Sequence, residues 1–262
     1  MKKMLTTLAT LATLASTADA DIARLELGAG VFNQESSGYL SYVDTTMMMK
    51  TEGRYDSKEV SSTNAYAWML IKHPIPVIPN IRVEYASLND EGLASGTFDG
   101  MSSPAPTDTP ASFDITEIDI IPYYNLIDNT FWMTLDVGID LKVMNIDYTI
   151  SAVPSIVPLP SDFVGYDDTT SLVLPLVYVR GRLEIPATNI GLESDVKYIT
   201  YAGSTVYDVR AKVDYTFDFI PVIQPAIEIG YRVHKFDLVS NDDKTNLDLE
   251  FAGLYFGAML RF

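Results

Sequence analysis

The chain has 262 residues, no cysteine, and a formal net charge of −17 from 35 Asp and Glu against 18 Lys and Arg. So acidic a surface repels nucleic acid, and without cysteine there is neither a disulfide nor a lipidated thiol anchor. Past the N-terminal stretch no apolar run approaches the ~20 residues that a membrane-spanning helix needs, so any crossing of a bilayer must be made by strands.

Met1, Lys2 and Lys3 lead into a mildly apolar run ending in Ala18-Asp19-Ala20, which has the layout of a secretory signal with a small-x-small cleavage site. Residues 1–20 are therefore expected to be removed, leaving 21–262 as one domain. From Ile22 to Phe32, Ala23, Leu25, Leu27, Ala29 and Val31 alternate with Arg24, Glu26, Gly28 and Gly30. Side chains two apart share one face of a strand, so this is the first strand. Asn33 to Ser62 is polar and reads as a long loop. Thr63 to Lys72 is a strand of ambiguous facing, because Tyr66, Trp68 and Leu70 are not opposed by a polar row. The prolines of His73-Pro74-Ile75-Pro76-Val77-Ile78-Pro79-Asn80 cannot donate to a ladder and force a turn.

Ile81, Val83 and Tyr85 alternate with Arg82 and Glu84 in a third strand, and Asn89 to Ser112 reads as an exposed loop rich in Gly, Ser, Pro and Thr. Phe113 to Leu126 sets Ile118, Ile120 and Tyr124 against Glu117 and Asp119, and Ile127-Asp128-Asn129 reads as a tight turn. Next comes the clearest alternation in the chain: Phe131, Met133, Leu135, Val137, Ile139, Leu141 and Val143 against Trp132, Thr134, Asp136, Gly138, Asp140, Lys142 and Met144. No helix has that period. Asp147 to Thr170 is expected to be a loop with an acidic tip at Asp167 and Asp168. Val173 to Ile185 is a strand with Arg180, Arg182 and Glu184 on its polar face, and Pro186 to Asn189 is a short turn. Ile190 to Tyr198 carries Glu193, Asp195 and Lys197 opposite its apolar row, and Ala202-Gly203-Ser204 reverses the chain. Tyr207 to Phe219 opposes its apolar row with Asp208, Arg210, Lys212 and Asp214. After a turn at Ile220 to Pro225, Ile227, Ile229, Tyr231 and Val233 face away from Glu228, Arg232 and His234. Asn241 to Lys244 leads to a closing strand, Leu247 to Phe262, in which Leu254, Phe256, Ala258, Leu260 and Phe262 form an unbroken apolar row.

Alternation alone does not say which face is inside. Several strands outrun the ~5 or 6 residues usual in soluble sheets and reach the ~9 to 11 that cross a bilayer on a tilt. Short or proline-stiffened turns alternate with longer polar connections, the strands number about ten, and aromatic residues gather at strand ends, all as in a membrane barrel. A charge facing lipid at mid-depth costs ~2 to 4 kcal/mol for Arg or Lys, so the charged row belongs in the lumen. The expected lumen charges include Asp136, Asp140, Lys142, Arg180, Arg182, Asp208, Arg210, Lys212, Asp214, Glu228 and Arg232.

A chain finishing mid-strand on Phe262, with Leu260 two behind it, resembles the C-terminal signature of Gram-negative outer-membrane β-barrel proteins. The resemblance implies an all-β, transmembrane, antiparallel up-and-down barrel with periplasmic termini, whose last strand carries the signal read by the barrel-assembly machinery. The segment His73 to Asn80, preceded by Ala65-Tyr66-Ala67-Trp68, is also similar to a turn signature in an uncharacterised family of small outer-membrane barrels. The expected partners are outer-membrane lipid and lipopolysaccharide. The expected role is a narrow porin-like pore, favouring cations, or a closed structural barrel with exposed loops.

An enzyme or a loop-mediated binding or adhesion protein is the alternative. Barrels of this size that act as hydrolases use His with Ser or Asp near the outer rim, and only His73 and His234 are available. His73 reads as a turn residue. His234 reads as a polar lumen residue, with Asp208 and Asp237 as the carboxylates that could orient it. The acidic loop tips could collect divalent cations, but no residue spacing matches a defined metal site, phosphate loop or nucleophile elbow. No cofactor is expected.

Overall fold

The computed structural model describes residues 23–46, 49–75, 77–151, 165–219, 223–239 and 245–262, so the expected signal segment and residues 220–222 and 241–244 of two expected turns lie outside it. The described residues form strands and turns without a helix. The strands are β1 (Arg24–Thr46), β2 (Met49–Ser57), β3 (Ser61–Lys72), β4 (Asn80–Gly96), β5 (Ala105–Thr130), β6 (Met133–Ile150), β7 (Tyr166–Glu184), β8 (Ile190–Tyr201), β9 (Ser204–Thr216), β10 (Gln224–Val239) and β11 (Thr245–Arg261). Neighbours are antiparallel, and β11 pairs with β1, so the sheet has no free edge. The backbone of Phe262 closes the seam, donating to the Leu25 carbonyl at 2.9 Å.

Both β2 and β3 lie between β1 and β4, so the eleven segments occupy ten positions in the wall. They are separated by a break at 58–60, where Glu59 has a φ of 57° and the inward parity changes: Tyr55 faces in on β2, Tyr66 and Trp68 on β3. The Asp90 carboxylate holds this break from across the sheet, accepting from Ser36 at 2.6 Å, Tyr55 at 2.7 Å and Ser57 at 2.8 Å.

The register fixes the tilt. Moving from partner to partner from Ser37 through Glu250, Lys235, Tyr207, Tyr198, Val177 and Ile139, then across β5, β4 and β3, returns to Leu25 on the starting strand. That stagger of about twelve residues over ten positions tilts the strands by about 40°. The outward apolar row of β7 runs from Val173 to Leu183, which at this tilt and ~3.3 Å per residue gives a band about 25 Å tall, the height of hydrocarbon that such barrels span.

The wall has two storeys of opposite polarity. Through the band, Val177, Ile139 and Ile229 point outward and are exposed, whereas Asp140, Lys142, Lys197 and Asp208 point inward and are 0% exposed. Above it the pattern inverts. On β6, Asn145 and Asp147 face out and Ile146 and Tyr148 face in; on β10 and β11, Lys235 and Glu250 face out and Phe236, Leu249 and Phe251 face in. The upper storey is built like an ordinary water-soluble barrel.

Four sequence expectations are corrected here. The loops expected at Asn33–Ser62 and Asn89–Ser112 are mostly strand, because β1 continues to Thr46, β2 fills 49–57, β4 reaches Gly96 and β5 starts at Ala105. Part of the loop expected at Asp147–Thr170 is likewise strand, since β6 runs to Ile150 and β7 begins at Tyr166, with 152–164 outside the described residues. The turn expected at Ile127-Asp128-Asn129 lies further on: Thr130 pairs with Met133, and Phe131 and Trp132, with φ of 54° and 61°, make the reversal. A two-residue hairpin of the type I′ kind needs positive φ at both central positions, which neither aromatic advertises.

Candidate functional site

The strand register stacks charged side chains into a layer that crosses the lumen. Direct cross-strand neighbours are mostly of opposite sign: Asp119 faces Lys142, Asp136 faces Arg180, Glu193 faces Arg182 and Lys212, Asp195 faces Arg210, and Lys197 faces Asp208. At one place where like charges meet, a side chain from another strand comes between them. Glu84 and Asp119 are neighbours on β4 and β5, and the Lys197 ammonium reaches over from β8 to contact Asp119 and to donate to Glu84 at 2.6 Å.

Some pairs join opposite walls. Arg210 on β9 donates to Glu84 on β4 at 2.5 Å, and Arg232 on β10 to Glu117 on β5 at 3.3 Å, each across five of the ten wall positions. The side of the layer nearer the chain termini is held by Arg182, which reaches Asp214 at 2.8 Å and Glu193 at 3.3 Å, and by Arg180, which joins Asp136 and Glu193 at 2.6 Å each. Arg261 of the last strand adds a 2.5 Å contact to Asp214. Lys212 donates to Glu228 at 2.9 Å, and Glu228 also accepts from Tyr66 at 2.7 Å and Trp68 at 3.2 Å. The Trp68 ring lies 4.9 Å from the Arg82 guanidinium and 4.6 Å from the Lys212 ammonium, so two cations lie against the one ring. A void of about 20 Å³ lies in this layer, room for roughly one water.

All eleven lumen charges singled out from the sequence are buried on the inner face. Asp140 stands apart: neither carboxylate oxygen has a hydrogen-bond partner among the described residues, and its nearest cation is Lys197 at 4.0 Å. Of the two histidines, His73 is tied into its turn, with its ring 3.1 Å from the Pro79 carbonyl and its Nδ1 accepting from the Ile75 amide at 3.2 Å. His234 is fully buried, its ring centred 4.2 Å from that of Phe236 and its Nδ1 3.4 Å from Glu117. It faces Asp208 across the ladder, but Asp237 lies on the opposite parity of β10 and pairs with Thr205, so the expected orienting role of Asp237 is ruled out by geometry.

Two features escaped the sequence. Tyr66 and Trp68 are inward partners of Glu228, and their apolar bulk hid that facing. Above the charges, Phe32, Phe236, Phe251 and Leu176 form a buried apolar floor, over which a cavity of about 980 Å³ opens at the outer end. The switch of polarity along β7, from Arg180 to Leu176, Leu174 and Leu172 on one parity, was the available signal.

No family model and no curated protein matches the chain. Among solved structures it is similar to the outer-membrane protease OmpT from Escherichia coli, at 10% identity and a TM-score of 0.47, covering 92% of this chain and 96% of that one. It is also similar to the translocator domain of the autotransporter NalP from Neisseria meningitidis (9%, TM-score 0.40, 100% and 96% covered) and to the outer-membrane protein OprG from Pseudomonas aeruginosa (9%, TM-score 0.35, 92% and 97% covered). Likenesses this distant say nothing of activity. The geometry of the wall decides its surroundings: hydrocarbon is the one solvent that suits a 25 Å apolar band ringing a charged interior, and the chain is therefore built as a transmembrane β-barrel.

Proposed function

We propose that this barrel is a closed, non-conducting one, whose membrane storey serves as a rigid, ion-paired support for the storey that projects outside. The observation that carries the reading is the pair of bridges Arg210–Glu84 and Arg232–Glu117, which join opposite walls within a layer of buried charges. A ten-strand wall is in any case narrow compared with the 16 to 18 strands of aqueous porins. Apart from Asp140, the lumen carboxylates that would draw cations through a pore are already paired with Lys and Arg, so the cation-favouring pore is the weaker reading. The role is structural and receptive rather than catalytic: His234 is sealed between Phe236 and the ion pairs. In this reading the outward rows, Leu260 among them, meet lipid, the acidic outer rim meets lipopolysaccharide through divalent cations, and the strand ending at Phe262 is what the assembly machinery engages.

Planar-bilayer recording of the refolded protein tests the closure. The expected result is a trace indistinguishable from protein-free membrane. Stable unitary steps that lose their size when the lumen charges are altered would return the pore reading.

A further inference from the structure

The upper storey encloses a space that the charged layer does not explain. Its volume is about 980 Å³, at the upper end of the ~300–1,000 Å³ typical of small-molecule sites. The walls are apolar on the parity that carries charge lower down: Leu172 and Leu174 on β7, Ile146 on β6, Leu238 on β10 and Leu247 on β11. One side is a set of rings, with Phe113 and Tyr148 stacked at 4.5 Å and Phe98 5.5 Å from Tyr148. Water filling such a cup meets few hydrogen-bonding groups, which is the situation in which an apolar solute displaces it favourably. The polar groups of the lining include Asp99 and Asp168; in a chain of net charge −17 these disfavour an anion.

We propose that the cup is a binding site for an uncharged, apolar small molecule, with a flat ring system settling against Phe113, Tyr148 and Phe98. The apolar walls supply the affinity, and the carboxylates supply selection against acids, so a free fatty acid or a phosphorylated lipid is a poor occupant. Whether the layer below conducts does not enter the argument, and a bilayer recording of either outcome leaves the site intact.

The test is a fluorescence titration of the full chain in lipid nanodiscs, with empty nanodiscs as background. Two probes share one aromatic body: uncharged N-phenylnaphthylamine and the anionic anilinonaphthalene sulfonate. The expected result is one saturable site per barrel for the uncharged probe, with the sulfonate weaker by at least about tenfold because a buried unpaired charge is costly. Leu172→Asp, which places a charge in the wall, and Leu174→Trp, which fills the space without one, should each weaken the uncharged probe by about tenfold or more. Folding of both variants is read independently from the shifted gel mobility of the unboiled barrel, and either variant that folds suffices. Binding equal to that of empty nanodiscs, equal affinity for the two probes, or an unchanged titration in a folded variant would each overturn the proposal.

Discussion

Lys197→Met removes the cation on which the middle of the lumen converges while keeping most of its volume. The Lys197 ammonium contacts Asp119 and lies 2.6 Å from Glu84, 3.5 Å from Asp208 and 4.0 Å from Asp140, with its side chain fully buried. Breaking a buried ion pair costs about 3–5 kcal/mol, mainly because the partner stays behind as an uncompensated charge. Several carboxylates are left behind here, which raises the cost. Lys142 still serves Asp119 at 2.8 Å and Arg210 still serves Glu84 at 2.5 Å, which limits it. The expected loss is therefore about 3–5 kcal/mol, read from guanidinium unfolding of the lipid-refolded barrel at neutral pH. Adding Asp119→Asn removes one orphaned charge, and the double variant should regain at least about 1 kcal/mol over simple additivity. A loss under about 1 kcal/mol for Lys197→Met, the range of exposed ion pairs, would mean that water reaches this layer, and the closed lumen would be refuted.

Other consequences follow from the two storeys. Val177→Arg, in the outward band, should cost about 2–4 kcal/mol of barrel stability, whereas the same residue introduced by Asp114→Arg, on the outward face above the band, should be neutral or stabilising by under about 1 kcal/mol. The sign at Asp114 follows from its surroundings: partial burial and the facing Asp147 push its carboxyl above the usual range, so the native charge is disfavoured there. Asp90→Ala leaves the hydroxyls of Ser36, Tyr55 and Ser57 without their shared acceptor and should cost at least about 3 kcal/mol, with protease cleavage rising first at the 58–60 break. If the last strand is read by an assembly machinery as proposed, Phe262→Asp should lower the fraction of chains that reach the membrane in cells by more than it lowers stability after refolding in lipid.

Within the band the sequence was readable because solvent and lumen make opposite demands on alternate residues. Val177 and Val179 against Tyr178 and Arg180 leave one consistent assignment once the charges are refused to lipid. Above the band that logic lapses: water wets the outer face, so Asn33, Glu35 and Ser37 are polar, and Gln34 and Ser36 between them are polar too because they hydrogen-bond to Ser62 and Asp90. With both parities polar, β1 looks like a loop. On β7 the same boundary produces Thr169 and Ser171 outside against Leu172 and Leu174 inside, a reversal easily taken for a strand end. Cross-lumen partners were invisible for a different reason. Glu84 and Arg210 meet because of the stagger accumulated around ten positions, which no local pattern encodes.

The central claim, grease outside and a dry charged layer within, is tested most directly by spin labels placed one at a time along β7 from Val173 to Leu183, in a chain with no native cysteine to compete. In lipid, labels at Val173, Val177, Val179 and Leu183 should collide freely with dissolved oxygen, while labels at Tyr178, Arg180 and Arg182 should be shielded both from oxygen and from a water-soluble nickel complex. Free collision of the nickel complex with the inward labels would make the lumen an open channel, and shielding of the outward labels from oxygen would put the apolar rows in a core, either result contradicting the account.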